Sequence, residues 1–123
     1  ALKARLDSYN LHGVAFRTIH FKPFSGSLQG KLIHGVQFHY TDYEAACCTL
    51  TQFYVMQAVN ELYPDRNPFA LSKGRNNMFD KVCGTDYVRT AFGKRLKVED
   101  IADYWSKDVE AFRKLSKKYW IYN

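Results

Sequence analysis

Arg17 sits in the middle of an alternating run, Val14 to Phe21, and Gln37 and His39 sit in a second one, Gly35 to Tyr40. Successive residues of a strand face opposite ways, so Val14, Phe16 and Thr18 point to one side and Ala15, Arg17 and Ile19 to the other. In the second run Val36, Phe38 and Tyr40 share one side, Gln37 and His39 the other. If the two strands pair in register, Arg17, Gln37 and His39 stand together on one sheet face, opposite an apolar one. Such a set is suited to recognition. A guanidinium grips a carboxylate through two parallel N–H bonds, and an imidazole donates or accepts near neutral pH. The competing reading is a face that is merely solvated or covered by helices. His20 and Lys22, at the end of the first run, are weaker candidates for the same surface. His12 and His34 fall in expected loops.

Acid–base catalysis asks for two carboxyl groups, one of them kept protonated in an apolar pocket. Asp42 and Glu44 read instead as the start of a helix, where a cap explains them. Asp80 and Asp86 flank Gly84 and again read as caps. Glu99, Asp100, Asp103, Asp108 and Glu110 fall on a solvated helix face. No catalytic residue is therefore expected in this chain. Nor is a cofactor or a metal. Cys47, Cys48 and Cys83 have no Cys-x-x-Cys or Cys/His ligand spacing and read as small core hydrophobes. No Ser/His/Asp set or phosphate-cradling glycine loop stands out.

The elements that must position these residues follow from period and punctuation. Pro23 and Ser25-Gly26-Ser27 end the first strand, and a long loop leads to the second. A helix is expected from Asp42, its N-cap, to Leu62, with Ala46, Leu50, Phe53, Tyr54 and Ala58 at helical spacing and Tyr63-Pro64-Asp65 as its stop. Residues 65–77 read as loop. A helical turn covers Met78 to Cys83, broken by Gly84, and Thr85 or Asp86 caps a helix through Phe92. Val98, Ile101, Trp105, Val109, Phe112, Ser116 and Tyr119 step by three or four, which predicts one last helix of more than five turns. Trp105 lies on that apolar stripe and reads as core. Trp120 is placed to pack on a neighbouring domain, and either indole could stack on a sugar. The expected class is α+β: a small sheet in the first half, with three to four helices packed on one face.

With 123 residues and 46% hydrophobic content, the chain reads as a single domain over residues 1–123 with an aromatic-rich core. No apolar run is long enough for a membrane span. Ala1 to Asp7 lacks the apolar stretch and cleavage site of a signal peptide. Eighteen basic against twelve acidic residues give +6, which favours anionic partners in general. No RNP-type or helix-turn-helix pattern accompanies that charge, so nucleic acid is not an expected partner.

Several stretches are more specific. Gly13-Val14-Ala15-Phe16-Arg17, followed by Phe21-Lys22-Pro23-Phe24, resembles the first strand of the C-terminal domain of NamZ-type exo-β-N-acetylmuramidases. Gly35-Val36-Gln37-Phe38-His39-Tyr40-Thr41-Asp42 resembles its most distinctive segment, a strand ending in Thr-Asp. Phe79-Asp80-Lys81-Val82-Cys83-Gly84-Thr85-Asp86 resembles its FD…GTD turn, and Trp105 through Phe112-Arg113-Lys114-Leu115 to Lys118-Tyr119 fits the terminal helix. The likeness runs in order along nearly the whole chain. It departs at Leu32-Ile33, where relatives carry a cysteine.

The resemblance implies a bacterial glycoside hydrolase of peptidoglycan turnover that releases terminal N-acetylmuramic acid from non-reducing ends. It implies a Rossmann-like N-terminal domain, carrying the catalytic glutamate, which this chain lacks and which would be its partner across an interdomain cleft. On that basis the isolated chain is expected to be inactive and to help line the cleft. Arg17, His39, Gln37, His20 and Lys22 are then the expected substrate-binding residues for N-acetylmuramic acid-containing peptidoglycan fragments. The implied location is the cell envelope, periplasmic or secreted. The alternatives from the residues alone are a stand-alone module for anionic glycan and a purely structural brace.

Overall fold

The computed structural model describes residues 1–72 and 74–122. The chain is a small α+β domain whose backbone gathers into two compact units, Ala1–Leu71 and Ser72–Asn123. The first unit begins with α1 (Leu2–Asp7), a helix that the sequence reading had not anticipated. Strands β1 (Val14–Phe21) and β2 (Ile33–Tyr40) follow and pair antiparallel. Helix α2 (Cys48–Leu62) and the short α3 (Pro68–Leu71) complete the unit.

The alternation in β1 and β2 is resolved as the period requires. Val14, Phe16 and Val36 face a core built with Leu6 of α1 and Ala58 of α2, with Leu2, Tyr9, Leu11 and Val55 around it. Phe16 meets Phe38 edge to face at 5.7 Å between centroids. Leu6, Phe53 and Ala58 are wholly buried, and a large apolar side chain so placed stabilises by about 1.5–3 kcal/mol relative to exposure. Glu61 ties α2 to the start of the chain. It accepts a hydrogen bond from Tyr9 Oη at 2.8 Å and faces Arg5 Nε at 3.4 Å. Burial, reinforced by that bond to Glu61, pushes the Tyr9 phenol well above its ordinary range.

Helix α2 starts six residues later than Asp42. Asp42 Oδ1 accepts the amides of Glu44 and Ala45, and its carbonyl accepts that of Ala46, so a single self-contained turn forms. Cys47, at ψ 75°, then redirects the chain before the helix begins. At its other end α2 stops at Leu62, as Pro64 dictates. His34, expected in a loop, is paired inside β2. The expected loop 65–77 contains α3 and, from Asn76, the start of the next helix.

The second unit is helical: α4 (Asn76–Cys83), α5 (Tyr87–Phe92), α6 (Glu99–Ser106) and α7 (Val109–Ser116), then a tight turn over Lys117–Tyr119. Gly84, at φ 72°, ends α4 in the left-handed conformation that glycine adopts without penalty. Thr85 Oγ1, rather than the Asp86 side chain, accepts the first amide of α5. The core is Val88, Phe92, Leu96, Val98 and Ile101.

The single long C-terminal helix expected from the apolar stripe is two helices. Ser106 Oγ bonds back to the carbonyls of Ala102 and Asp103, and Asp108 opens α7 with φ −109° and a carbonyl that accepts the Phe112 amide. Serine hydroxyls that compete for helix carbonyls bend or end helices. Val98 and Ile101 are buried, whereas Val109, Phe112 and Tyr119 of the same stripe are exposed.

Candidate functional site

The strand register decides which polar residues meet. Arg17 lies directly opposite Gln37, and Ala15 opposite His39. Directly opposed residues share a face, so Arg17, Gln37 and His39 stand together on the side of the sheet away from Phe16. Arg17 Nη2 donates to Gln37 Oε1 at 2.8 Å. Gln37 thus holds the guanidinium in place through a neutral partner and leaves its positive charge uncompensated by that bond. His39 is exposed two residues further along β2, about 7 Å at strand rise. Ile19 and Phe21, opposite Gly35 and Ile33, continue the same face as an apolar floor.

His20 and Lys22 are not brought to this group. His20 is three residues from Arg17, an odd offset, and so turns to the other face, where its ring meets that of His34 edge to face at 4.5 Å. Lys22 lies just past the end of β1 and is exposed.

Several of the carboxylates have structural partners. Asp42 closes its turn. Asp80 is not a cap: both of its oxygens accept from Arg89, at 2.7 and 2.9 Å. That hydrogen-bonded guanidinium holds the Asp80 carboxyl below its ordinary range, the opposite of what a general acid needs. Glu99 and Asp100 pair with Arg95, and Glu110 with Arg113. Cys47 and Cys48 are exposed rather than core, because they sit ahead of and at the first residue of α2 instead of deep inside a longer helix. Among the described residues no group of three or more His, Cys, Asp or Glu is placed to hold a metal ion. Among the described residues no helix is long and apolar enough to cross a membrane.

A second feature was not anticipated as a site. The second unit carries an open cavity of about 820 Å³ lined by Tyr104, Trp105, Phe112 and Trp120. Only the helix break at residues 107 and 108 lets α7 and the following turn frame it, which is why an uninterrupted helical stripe did not suggest it.

A two-stranded antiparallel sheet with one face on the core and Arg17, Gln37 and His39 on the other, followed by helices, makes a small α+β domain. The chain belongs to the family described as exo-beta-N-acetylmuramidase NamZ, C-terminal, whose pattern it matches over residues 1–122. It is 37% identical, over 121 residues, to a Bacillus subtilis (strain 168) protein named peptidoglycan beta-N-acetylmuramidase NamZ. That match covers 98% of this chain and 28% of the relative. A crystal structure of a DUF1343 family protein from Bacteroides fragilis NCTC 9343 superposes with a TM-score of 0.93 at 45% identity, over 99% of this chain and 32% of that one. The chain thus spans about a third or less of the length of these relatives.

Proposed function

We propose that this chain is the substrate-holding C-terminal part of a glycoside hydrolase that releases terminal N-acetylmuramic acid from the non-reducing ends of peptidoglycan fragments. The observation that carries this reading is the Arg17–Gln37 pair on an open sheet face, in a chain 37% identical to a protein named as a peptidoglycan muramidase. N-acetylmuramic acid differs from N-acetylglucosamine by a lactyl ether bearing a carboxylate. Arg17 pairs that carboxylate, Gln37 fixes the guanidinium plane, and His39 donates to a hydroxyl or acetamido oxygen. The proton-transferring groups come from the part of the parent protein outside this chain, which meets this face across a cleft. The parent works in the cell envelope, periplasmic or secreted, where its polymer is.

The test is Arg17→Ala in the full-length parent. As a binding group in a desolvated contact, Arg17 should contribute about 2–4 kcal/mol to kcat/KM, most of it in KM. The control substrate is N-acetylglucosamine in the same linkage, which lacks the lactyl carboxylate. Wild type should reject it, and Arg17→Ala should discriminate less. A variant that weakens both sugars equally overturns the assignment, and one with wild-type kinetics points to a domain that only braces its parent.

A further inference from the structure

We propose that the cavity of about 820 Å³ in the second unit is a glycan-holding site for uncharged N-acetylated pyranose rings. The proposal rests on the reading above, that the parent acts on peptidoglycan. The chain has only two tryptophans, and both line this one cavity, together with Tyr104 and Phe112. Phe112 is 68% exposed and Trp120 57%, so neither ring serves the core of Val88, Phe92, Leu96, Val98 and Ile101. Apolar rings presented to solvent around a concavity mark a binding surface. The volume falls within the range of about 300–1,000 Å³ typical of ligand sites.

Ring chemistry and charge narrow the ligand. One face of a pyranose is a sheet of C–H groups that packs flat on an aromatic ring, while its edge of hydroxyl and acetamido groups needs hydrogen-bonding partners. The cavity supplies both, with Ser116 and Thr85 among the lining residues. Its cations are already matched. Arg113 pairs with Glu110 at 3.1 Å, and Lys107 lies over the Tyr104 ring at 4.1 Å, beside Asp108. Counted with Glu110, which stands outside the lining, the two cations face two acids, Asp108 and Glu110, whereas Arg17 has only the neutral Gln37 as its partner. The cavity therefore suits the N-acetylglucosamine-type rings of the polymer, and the Arg17 face the acidic ones.

The experiment titrates the 123-residue chain with β-1,4-linked N-acetylglucosamine trimer, read by tryptophan emission and by calorimetry. A saturable blue shift is expected, weakened about tenfold or more in Trp120→Ala and in Phe112→Ala. Phe24→Ala removes a ring that is 90% exposed in the other unit and should bind as wild type does. Absence of a saturable shift, or wild-type affinity in both cavity variants, overturns the proposal. So does full shielding of Trp120 from acrylamide in the glycan-free parent, which would make the cavity a seat for protein. Hydrolysis of a chromogenic muramic-acid glycoside by the parent separates the two readings. An active parent with a non-binding chain sinks the cavity alone, and an inactive parent sinks the muramidase reading.

Discussion

Gly13 should tolerate replacement less than Gly26, Gly30, Gly35, Gly74 or Gly84. Its φ is 69°, and a Cβ built on it would stand 2.2 Å from the Asp42 carbonyl oxygen and 2.9 Å from the Ala46 amide nitrogen. Its own carbonyl accepts the amide of Thr41 at 2.8 Å, so the start of β1 is joined to the turn that follows β2. Alanine in a left-handed conformation costs about 1–2 kcal/mol. Relieving an overlap with backbone atoms that cannot rotate away adds about 1–3 kcal/mol, and loosening the Thr41 bond about 0.5–1.5 kcal/mol. Gly13→Ala is thus expected to destabilise the first unit by about 2.5–6.5 kcal/mol, a large part of a small domain's margin. Gly26→Ala is the matched control, because Gly26 has φ 86° and nothing within 4 Å of the added carbon. It should cost only the conformational part, about 1–2 kcal/mol. Gly35→Ala, with its nearest contact an ordinary 3.5 Å from Ile19 Cγ2, should be close to neutral. The assay is urea denaturation followed by far-ultraviolet circular dichroism and by amide exchange in the β1–β2 ladder. Tryptophan emission is the wrong probe, since Trp105 and Trp120 both lie in the second unit. Equal losses in Gly13→Ala and Gly26→Ala would refute the close-approach argument.

Three further expectations concern single groups. Asp42→Asn keeps an acceptor for the Glu44 and Ala45 amides and should cost a few tenths of a kcal/mol, whereas Asp42→Ala should cost about 1 kcal/mol; urea midpoints decide, and equal losses count against the turn. Because Arg89 holds the Asp80 carboxyl below its ordinary range, the pair stabilises the second unit above about pH 4 and ceases to do so as pH falls through the lowered value. Asp80→Asn should therefore flatten the acid side of the stability curve measured by tryptophan emission, and an unchanged acid limb would count against the pair. Cys47 and Cys48 are exposed, while burial and then the nearby Asp80 charge raise the Cys83 thiol, so a disulfide reagent should modify two thiols quickly and one slowly; three equal rates would contradict this placement.

Much of the candidate site was legible because it depends on local period. Alternation alone separates Arg17 from Phe16, and Gln37 and His39 from Phe38, before any partner strand is known. Chemical stops are equally local: Pro64 must end α2, and Gly84 supplies the positive φ that ends α4. That two strands precede the long helix was readable for the same reason, while the family was legible from the likeness of particular stretches, Gly35 to Asp42 above all. What no window of sequence contains is competition among groups that folding brings together. Asp42 caps a closed turn instead of a helix because Cys47 redirects the chain behind it, and the stripe from Val98 to Tyr119 breaks where Ser106 takes helix carbonyls and Asp108 opens a new turn. His20 lies near Arg17 along the strand, yet an odd offset sends it to the opposite face, against His34. The register that sets Arg17 against Gln37, and the break that turns Trp105 and Trp120 toward one cavity, belong to the tertiary structure. Periodicity states which way a side chain points from its own backbone, and only packing decides what it finds there.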